Sequence, residues 1–429
     1  MGKDSLTGLY GIKEFILKGG DIVLNSTDNF AVVAVDLSNF RYLNDMYGMD
    51  KGDEVIVFVA NEFFCNNPSC ALACHTVGDQ FRGLINVGSR TMEEEIKIIS
   101  EKNAEIEQKL EGMFPKVYLH VYTGLYFIDR ETFDFSNFNM RTIVDKAHFA
   151  KKQVKGNFEN SCAIYHEEEY KDFSRQMEIV KIFENACVND GVRVFFQPKM
   201  DCHSHRIIGA EALCRLVDEN GNYISPGLFI PVLEKNGMLV RLDAIMMEKT
   251  FEHMHEWKEQ GKLNIPVSIN LSRVDFYNKN LAKQIIALQK KYDIPTENIE
   301  LEVTESTFIE DMNLVIGSII ELRKYGFKIS VDDFGSGYSS LGLLTSMPAD
   351  IVKLDCAFAR QGLKSEKGIE IVESVISMLR KIDFDIICEG VETKDEEALI
   401  DSLGCHKIQG YLYDKPLPKG DFEKKYVLC

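Results

Sequence analysis

The sequence has no apolar run approaching the roughly 20 residues that a bilayer-spanning helix needs. Met1 is followed by a polar segment, with none of the apolar core of a signal peptide. Eleven cysteines occur without one Cys-x-x-Cys pair. That odd, scattered set argues against a disulfide framework or a zinc site and fits reduced cytosolic thiols. Basic residues are in the minority, 49 against 67 acidic ones, and the net charge is −18. Phosphate polymers and anionic bilayers are held by clustered Lys and Arg, so the balance excludes a general binder of DNA, RNA or membranes. A small anionic ligand held through metal ions stays compatible with it. These absences describe a soluble, cytoplasmic protein.

What is present is ordinary globular material: 429 residues, 45% hydrophobic and 27% charged, long enough for two or three domains. No Pro/Gly/Ser-rich linker divides them. The best boundary is the charged amphipathic stretch Glu167 to Asp190, whose Phe173, Met177, Val180, Ile182 and Phe183 suit a joining helix. The expected domains are therefore 1–166, a helical linker 167–190, and 191–429. In the first, Asp21–Leu24, Ala31–Leu37, Leu72–His75, Arg82–Ile85 and Val117–Phe127 read as strands. Helices over Asp53–Phe63 and Met92–Leu110 interleave with them, giving an α/β sandwich.

In the second, strand-like runs recur with helices between them: Val192–Gln197, Ile207–Ala212, Pro266–Asn270, Ile299–Thr304, Lys328–Val331, Ile351–Leu354, Asp385–Cys388 and Lys407–Gln409. Eight runs in this length match a (β/α)8 barrel, whose functional groups sit at the C-terminal ends of the strands. Each run after the first carries or abuts a polar residue there: Glu211, Asn270, Glu302, Asp332, Lys353, Glu389 and Gln409.

The run ending at Val331 stops in two adjacent carboxylates, Asp332 and Asp333, and a glycine-broken turn. Adjacent strand residues diverge unless the backbone is already turning. Acids gathered at one mouth repel unless cations neutralise them. An all-oxygen set suits Mg²⁺ or Mn²⁺ rather than zinc. Two such ions can activate a water and clamp a phosphodiester, and Lys353 is suitably charged to orient that water or to stabilise developing phosphoryl charge.

In order, Gln197-Pro198, Glu211-Ala-Leu-Cys-Arg215, Asn270-Leu-Ser, Glu302-Val-Thr-Glu305, Asp332-Asp-Phe-Gly-Ser-Gly, Lys353-Leu-Asp, Glu389-Gly-Val-Glu392-Thr and Gln409-Gly-Tyr-Leu resemble the EAL-domain cyclic di-GMP phosphodiesterases. The resemblance covers roughly residues 180 to 427. It implies hydrolysis of cyclic di-GMP to linear pGpG with two metal ions, and a homodimer through this domain. It also implies roles: Glu211, Asn270, Glu302 and Asp332 on one metal, Asp333 on the second, and Glu392 as a further metal-site acid. Glu389 takes the general-base position and Lys353 the water-orienting one. Gln197, Gln409, Arg215 and Asn270 support the site or contact substrate, and Glu305 steadies the loop after Asp333. The departures lie beside the motifs, such as Cys214-Arg215-Leu216 where the family often has Leu-Arg-Trp.

The start, Asp4-Ser-Leu-Thr-Gly-Leu-Tyr, then Val35-Asp36-Leu-Ser38-Asn-Phe40, Asn44-Asp-Met-Tyr-Gly48, Gly52-Asp53-Glu54 and Val77-Gly78-Asp79-Gln80-Phe81, resembles the GGDEF-domain diguanylate cyclases over roughly residues 1 to 165. Val77 stands where the first signature glycine is expected, Gln80 where an acid is, and Ser38 replaces an acid common two residues after Asp36. Gln80 supplies no carboxylate charge and Val77 adds bulk near the nucleotide. The inhibitory arginine-acid motif is absent, with Pro68 and Ala71 at its places. The expectation is a domain that does not make cyclic di-GMP. Asp36, Asn44, Asp53 and Asp79 keep the ligand positions for GTP, which leaves a GTP-binding regulator and a packing element both open.

Smaller signals have plainer readings. Tyr338-Ser339-Ser340 lacks a Ser-His-Asp arrangement and reads as turn chemistry. His203 and His205 read as solvated residues of a polar turn. Trp257 and the methionines Met246, Met247 and Met254 read as packing.

Overall fold

The computed structural model describes residues 2–157, 160–262, 265–310, 312–335, 347–355 and 366–427. Tyr338, Ser339 and Ser340 lie outside them. The chain divides into two compact units, Met1–Arg175 and Gln176–Cys429, and the helix Glu167–Val188 spans that point in the sequence.

The first unit is built on β1 (Asn29–Leu37), β2 (Cys70–His75), β3 (Phe81–Gly88), β4 (Val121–Ile128) and β5 (Cys162–Ile164), in the order β2-β3-β1-β4-β5. Central β1 runs antiparallel to both neighbours, and β5 is parallel to β4. Both faces of β1 are covered, which is why Phe30 to Val35 is an unbroken apolar run. Phe30, Val32 and Ala34 face α1 (Ile12–Asn25) and the later helix Met140–Val154. Ala31, Val33 and Val35 face the layer that includes Val55, Ile56 and Val59 of Met49–Val59 and Ile99, Ile106 and Leu110 of Met92–Met113.

Two expectations are corrected here. Asp21–Leu24 is the last part of α1, not a strand. Phe15, Gly19 and Val23 recur every four residues on its buried face, and Gly19 admits Met140 so closely that a Cβ would sit 2.9 Å from its Cε. The glycine pair Gly19-Gly20 marks close packing rather than a turn. The run Val117–Phe127 becomes a strand only from Val121; just before it, Ser38 N–H donates to the His120 carbonyl at 2.8 Å and His120 N–H donates to the Ser38 hydroxyl oxygen at 2.8 Å. The remaining labels follow chain order: α2 (Phe40–Tyr47), α3 (Met49–Val59), α4 (Met92–Met113), α5 (Met140–Val154) and α6 (Glu167–Val188).

The second unit closes β6 (Val192–Asp201), β7 (Arg206–Val217), β9 (Val267–Leu271), β10 (Ile299–Thr304), β11 (Lys328–Phe334), β12 (Ile351–Asp355), β13 (Asp385–Glu389) and β14 (Lys407–Gln409) into a barrel, with a short β8 (Tyr223–Ile224) beside β7. Each of the eight expected runs is one of these strands. One feature departs from a regular (β/α)8 barrel: β6 is antiparallel to both β7 and β14, so a hairpin replaces the first crossover. The other neighbouring pairs of the eight barrel strands are parallel, and β8 is antiparallel to β7.

Strand β10 shows why the interior is polar. In Ile-Glu-Leu-Glu-Val, buried Ile299, Leu301 and Val303 join the apolar shell, while Glu300 and Glu302 alternate onto the opposite, inner side. That shell contains Trp257, Met246, Met247 and Met254, all buried. Trp257 donates its indole N–H to Glu423 at 2.7 Å.

Candidate active site

Register carries side chains from neighbouring strands to one level, through parallel pairs and the antiparallel β6–β7 pair. Glu302 stands beside Asn270, Glu211 beside Gln197, and Glu389 beside Gln409. Lys353, from β12, reaches into their midst and is 1% exposed. Its ammonium lies 2.5 Å from Glu302 Oε2, 2.6 Å from Glu389 Oε1, 3.2 Å from Asp332 Oδ1 and 3.3 Å from Glu211 Oε2. Four carboxylates from four strands thus share one cation. Asn270 donates its amide to Glu211 Oε1 at 2.9 Å, and Gln409 donates to Glu211 Oε2 at 2.6 Å and to Gln197 Oε1 at 3.2 Å. Gln197 in turn donates to the Asp414 carbonyl at 3.1 Å.

Sequence reasoning missed a second cation. Lys199 of β6 donates to Glu300 at 2.9 Å and to Glu302 at 2.8 Å, with all three side chains buried. The strict alternation of Glu300 and Glu302 was the available signal. The antiparallel direction of β6, which brings Lys199 to them, had none.

Burial pushes the Glu302 carboxyl up, but Lys199 and Lys353 overcome that and hold it well below the usual range. Burial raises Glu211 and Glu389 instead, Glu389 strongly; Glu302 and Asp332 add to this, and Lys353 opposes it only in part. Burial disfavours the Lys353 ammonium, yet the carboxylates of Asp332, Glu211, Glu302 and Glu389 lift it well above its ordinary value.

The donor set fits hard divalent cations. Glu211, Glu302 and Asp332 can each offer an oxygen within 4.8 Å of the others, and so can Asp332, Asp333 and Glu389. The set is all oxygen, as Mg²⁺ and Mn²⁺ prefer. Among the described residues the buried Gln409 Oε1 has no hydrogen-bond partner.

Asp332 and Asp333 do not diverge as in a regular strand, because the backbone is turning: the β11–β12 register slips between Val331 and Phe334, and Asp333 is left-handed at φ 56. Asp333 N–H donates to Asp332 Oδ1 at 2.9 Å. Glu305, buried at the start of the helix after β10, accepts from Gly335 N–H at 3.1 Å. Glu392 lies beyond the two tight carboxylate groups. It lines a cavity of about 340 Å³ with Gln197, Glu211, Glu389, Gln409 and Tyr411. Arg215, two alternations beyond Glu211 on β7, is half-buried over the Phe195 ring and donates to the Cys214 carbonyl at 2.7 Å, apart from the carboxylates.

A family model described as the EAL domain matches residues 180–416, more than half the chain. The chain belongs to the EAL domain family. A second model, "Diguanylate cyclase, GGDEF domain", matches residues 2–161, so a GGDEF domain precedes the EAL domain. MucR of Pseudomonas aeruginosa, named a bifunctional diguanylate cyclase/cyclic di-GMP phosphodiesterase, is 27% identical over 91% of this chain. This chain spans 56% of MucR's length, and 60% and 49% of two other curated relatives. A solved structure titled "PaMucR Phosphodiesterase, c-di-GMP complex" is 29% identical with TM-score 0.54, covering 57% of this chain and 99% of its own. The EAL enzyme Bd1971, in a cAMP- and cyclic-di-GMP-bound form, is 27% identical with TM-score 0.56, covering 71% of this chain and 81% of its own.

In the GGDEF domain, Asn44, Asp53 and Asp79 line a cavity of about 800 Å³ with Phe40, His75 and Lys155. Asp36 is buried beneath it, 2.5 Å from Lys151 and 3.2 Å from Lys155. Burial raises the carboxyls of Asp36 and Asp79 alike. Asp79 and the two lysines bring Asp36 below its ordinary value, while Asp36 adds to the rise of Asp79, to about 6. Val77 is exposed, and Gln80 N–H closes the hairpin turn on its carbonyl at 3.2 Å. Asn44 Oδ1 is buried and, among the described residues, has no hydrogen-bond partner.

Proposed function

We propose that this protein hydrolyses one phosphodiester bond of cyclic di-GMP to give linear pGpG. The observation that carries the reading is the ring of Glu211, Glu302, Asp332 and Glu389 around the Lys353 ammonium at one barrel mouth. A mouth so rich in carboxylate is suited to divalent cations and, through them, to a phosphodiester. The names of the relatives support the identity of the substrate.

Glu211, Asn270, Glu302, Asp332, Asp333 and Glu392 would hold two ions, Mg²⁺ or Mn²⁺. When bound, such ions neutralise phosphate charge and make water acidic. Glu389 accepts the proton of the attacking water at its carboxylate as the water oxygen bonds to phosphorus; the P–O3′ bond breaks, and the leaving oxygen takes a proton from solvent to become the 3′-hydroxyl. Lys353 holds Glu389 through their ion pair and orients the water. Gln409 and Gln197 hold Glu211, Arg215 meets a phosphate oxygen, and Glu305 fixes the turn after Asp333. In the GGDEF domain, Asp36, Asn44, Asp53 and Asp79 bind GTP as an effector, and Gln80 with Val77 leaves cyclisation inactive. A homodimer through the EAL domain and a cytoplasmic location complete the reading, with domain limits at 1–166, 167–190 and 191–429.

The test is cyclic di-GMP hydrolysis with Mg²⁺ or Mn²⁺, with pGpG resolved by chromatography. Ion-dependent pGpG that falls about 10²–10⁴-fold in Glu389→Gln is expected. Binding without turnover under both ions would make the chain a receptor instead.

A further inference from the structure

At the end of the barrel opposite the carboxylates, four residues far apart in sequence converge. Cys202 directly follows β6, His203 sits in the β6–β7 hairpin turn, Asp401 is in the last turn of the helix Lys394–Ser402, and His406 directly precedes β14. Asp401 Oδ1 lies 2.7 Å from His203 Nε2, 2.6 Å from His406 Nδ1 and 3.2 Å from Cys202 Sγ. The two imidazole centroids are 4.3 Å apart. Cys202 N–H donates to the His406 carbonyl at 2.9 Å, which locks the two backbones together. One ligand atom from each of the four lies within 4.8 Å of all the others.

Hydrogen bonding alone accounts poorly for this cluster. Three donor groups crowd one carboxylate oxygen, which has two lone pairs. A cation bound by all four would turn every one of them into an electron-pair donor to a common centre. A tetrahedral ion with bonds of about 2.0–2.3 Å separates its ligand atoms by about 3.3–3.8 Å, so small side-chain rotations suffice. The set of one thiol, two imidazoles and one carboxylate is also chemically unlike the all-oxygen mouth, and it selects borderline-soft transition ions over Mg²⁺.

His203 and His205, which sequence alone makes a superficial pair, are separated. His205 is left-handed at φ 52, and its Nδ1 is 3.2 Å from the Tyr413 hydroxyl. His203 is paired with residues about 200 positions away, which is why no spacing motif announces the site.

We propose that Cys202, His203, Asp401 and His406 form a binding site for a divalent transition ion of the zinc type, stapling the β6–β7 hairpin to the start of β14. Binding forms an Sγ–metal bond and releases the thiol proton to solvent. The site is independent of the reaction at the other end of the barrel.

Co²⁺ titration of the full chain tests it, with excess Mg²⁺ present to occupy the oxygen-lined mouth. The expected result is one equivalent of Co²⁺ with the intense visible absorption of a tetrahedral site and a thiolate-to-cobalt band in the near ultraviolet, both removed by Zn²⁺. Cys202→Ser should abolish the thiolate band. His203→Gln, a change at a 59% exposed side chain that folding tolerates, should weaken Co²⁺ at least tenfold. Absence of the tetrahedral spectrum overturns the proposal. So does a thiolate band that survives in Cys202→Ser, or an affinity unchanged in His203→Gln.

Discussion

Lys353 holds one positive charge against four carboxylates, so removing it and removing one of its partners should have opposite effects on stability. Lys353→Met is expected to destabilise the chelator-treated protein by about 3–5 kcal/mol, because buried acids lose their counter-charge. Glu389→Gln removes a carboxylate whose ionised form burial already disfavours, so its thermal midpoint in chelator should match or exceed the parent's while hydrolysis is lost. Thermal melts of the two variants beside the parent check both signs; a Glu389→Gln protein markedly less stable than the parent counts against this charge balance. In the GGDEF domain, Asp79 has a folded value of about 6 against an ordinary one near 3.8. The folded domain therefore binds this proton more tightly, and the stability it contributes is full below about pH 4 and is lost as pH rises through about 6. Relative to the parent, Asp79→Asn should gain stability steadily between pH 4 and 7. Parallel melting curves across that range would contradict the assigned shift.

The elements of the barrel were legible because each strand is a short Val/Ile/Leu run that stops at a polar residue, as in Ile351–Asp355 and Asp385–Glu389. The direction of β6 was not legible, since a hairpin and a crossover can both follow the same apolar run, and with it went Lys199. Helix α1 was misread because a four-residue window over Asp21–Leu24 hides a repeat that begins at Phe15. The acidic mouth could be read residue by residue, whereas the Cys202 cluster depends on tertiary contact between the two ends of the barrel sequence. Close approaches between elements give a further prediction. A Cβ on Gly410 would lie 2.0 Å from the Val391 carbonyl oxygen, where the turn after β13 crosses the end of β14. Gly410→Ala should push apart the segments carrying Glu392 and Gln409 and lower kcat at least tenfold, with the far-ultraviolet spectrum kept. Unaltered kcat would mean that their spacing is not critical.

At the scale of the whole molecule, each unit has its own apolar clusters and its own cavity. If the GGDEF cavity serves as an effector site, GTP should change the rate of cyclic di-GMP hydrolysis, and Asp53→Ala should remove the response without altering the rate in its absence. A GTP-independent rate, together with no GTP binding by calorimetry, leaves the domain a packing element. Among the described residues no helix is long and apolar enough to cross a membrane. The two lysines buried inside the barrel bear on supply and demand in the cell. Lys353 and Lys199 are counter-ions built into the polypeptide, so the barrel's fold carries part of its own neutralisation and does not wait on the mineral content of its surroundings. If the proposed ion-dependent hydrolysis holds, a cell starved of divalent ions would keep the protein intact but idle, and a returning supply would restart turnover with no new synthesis required.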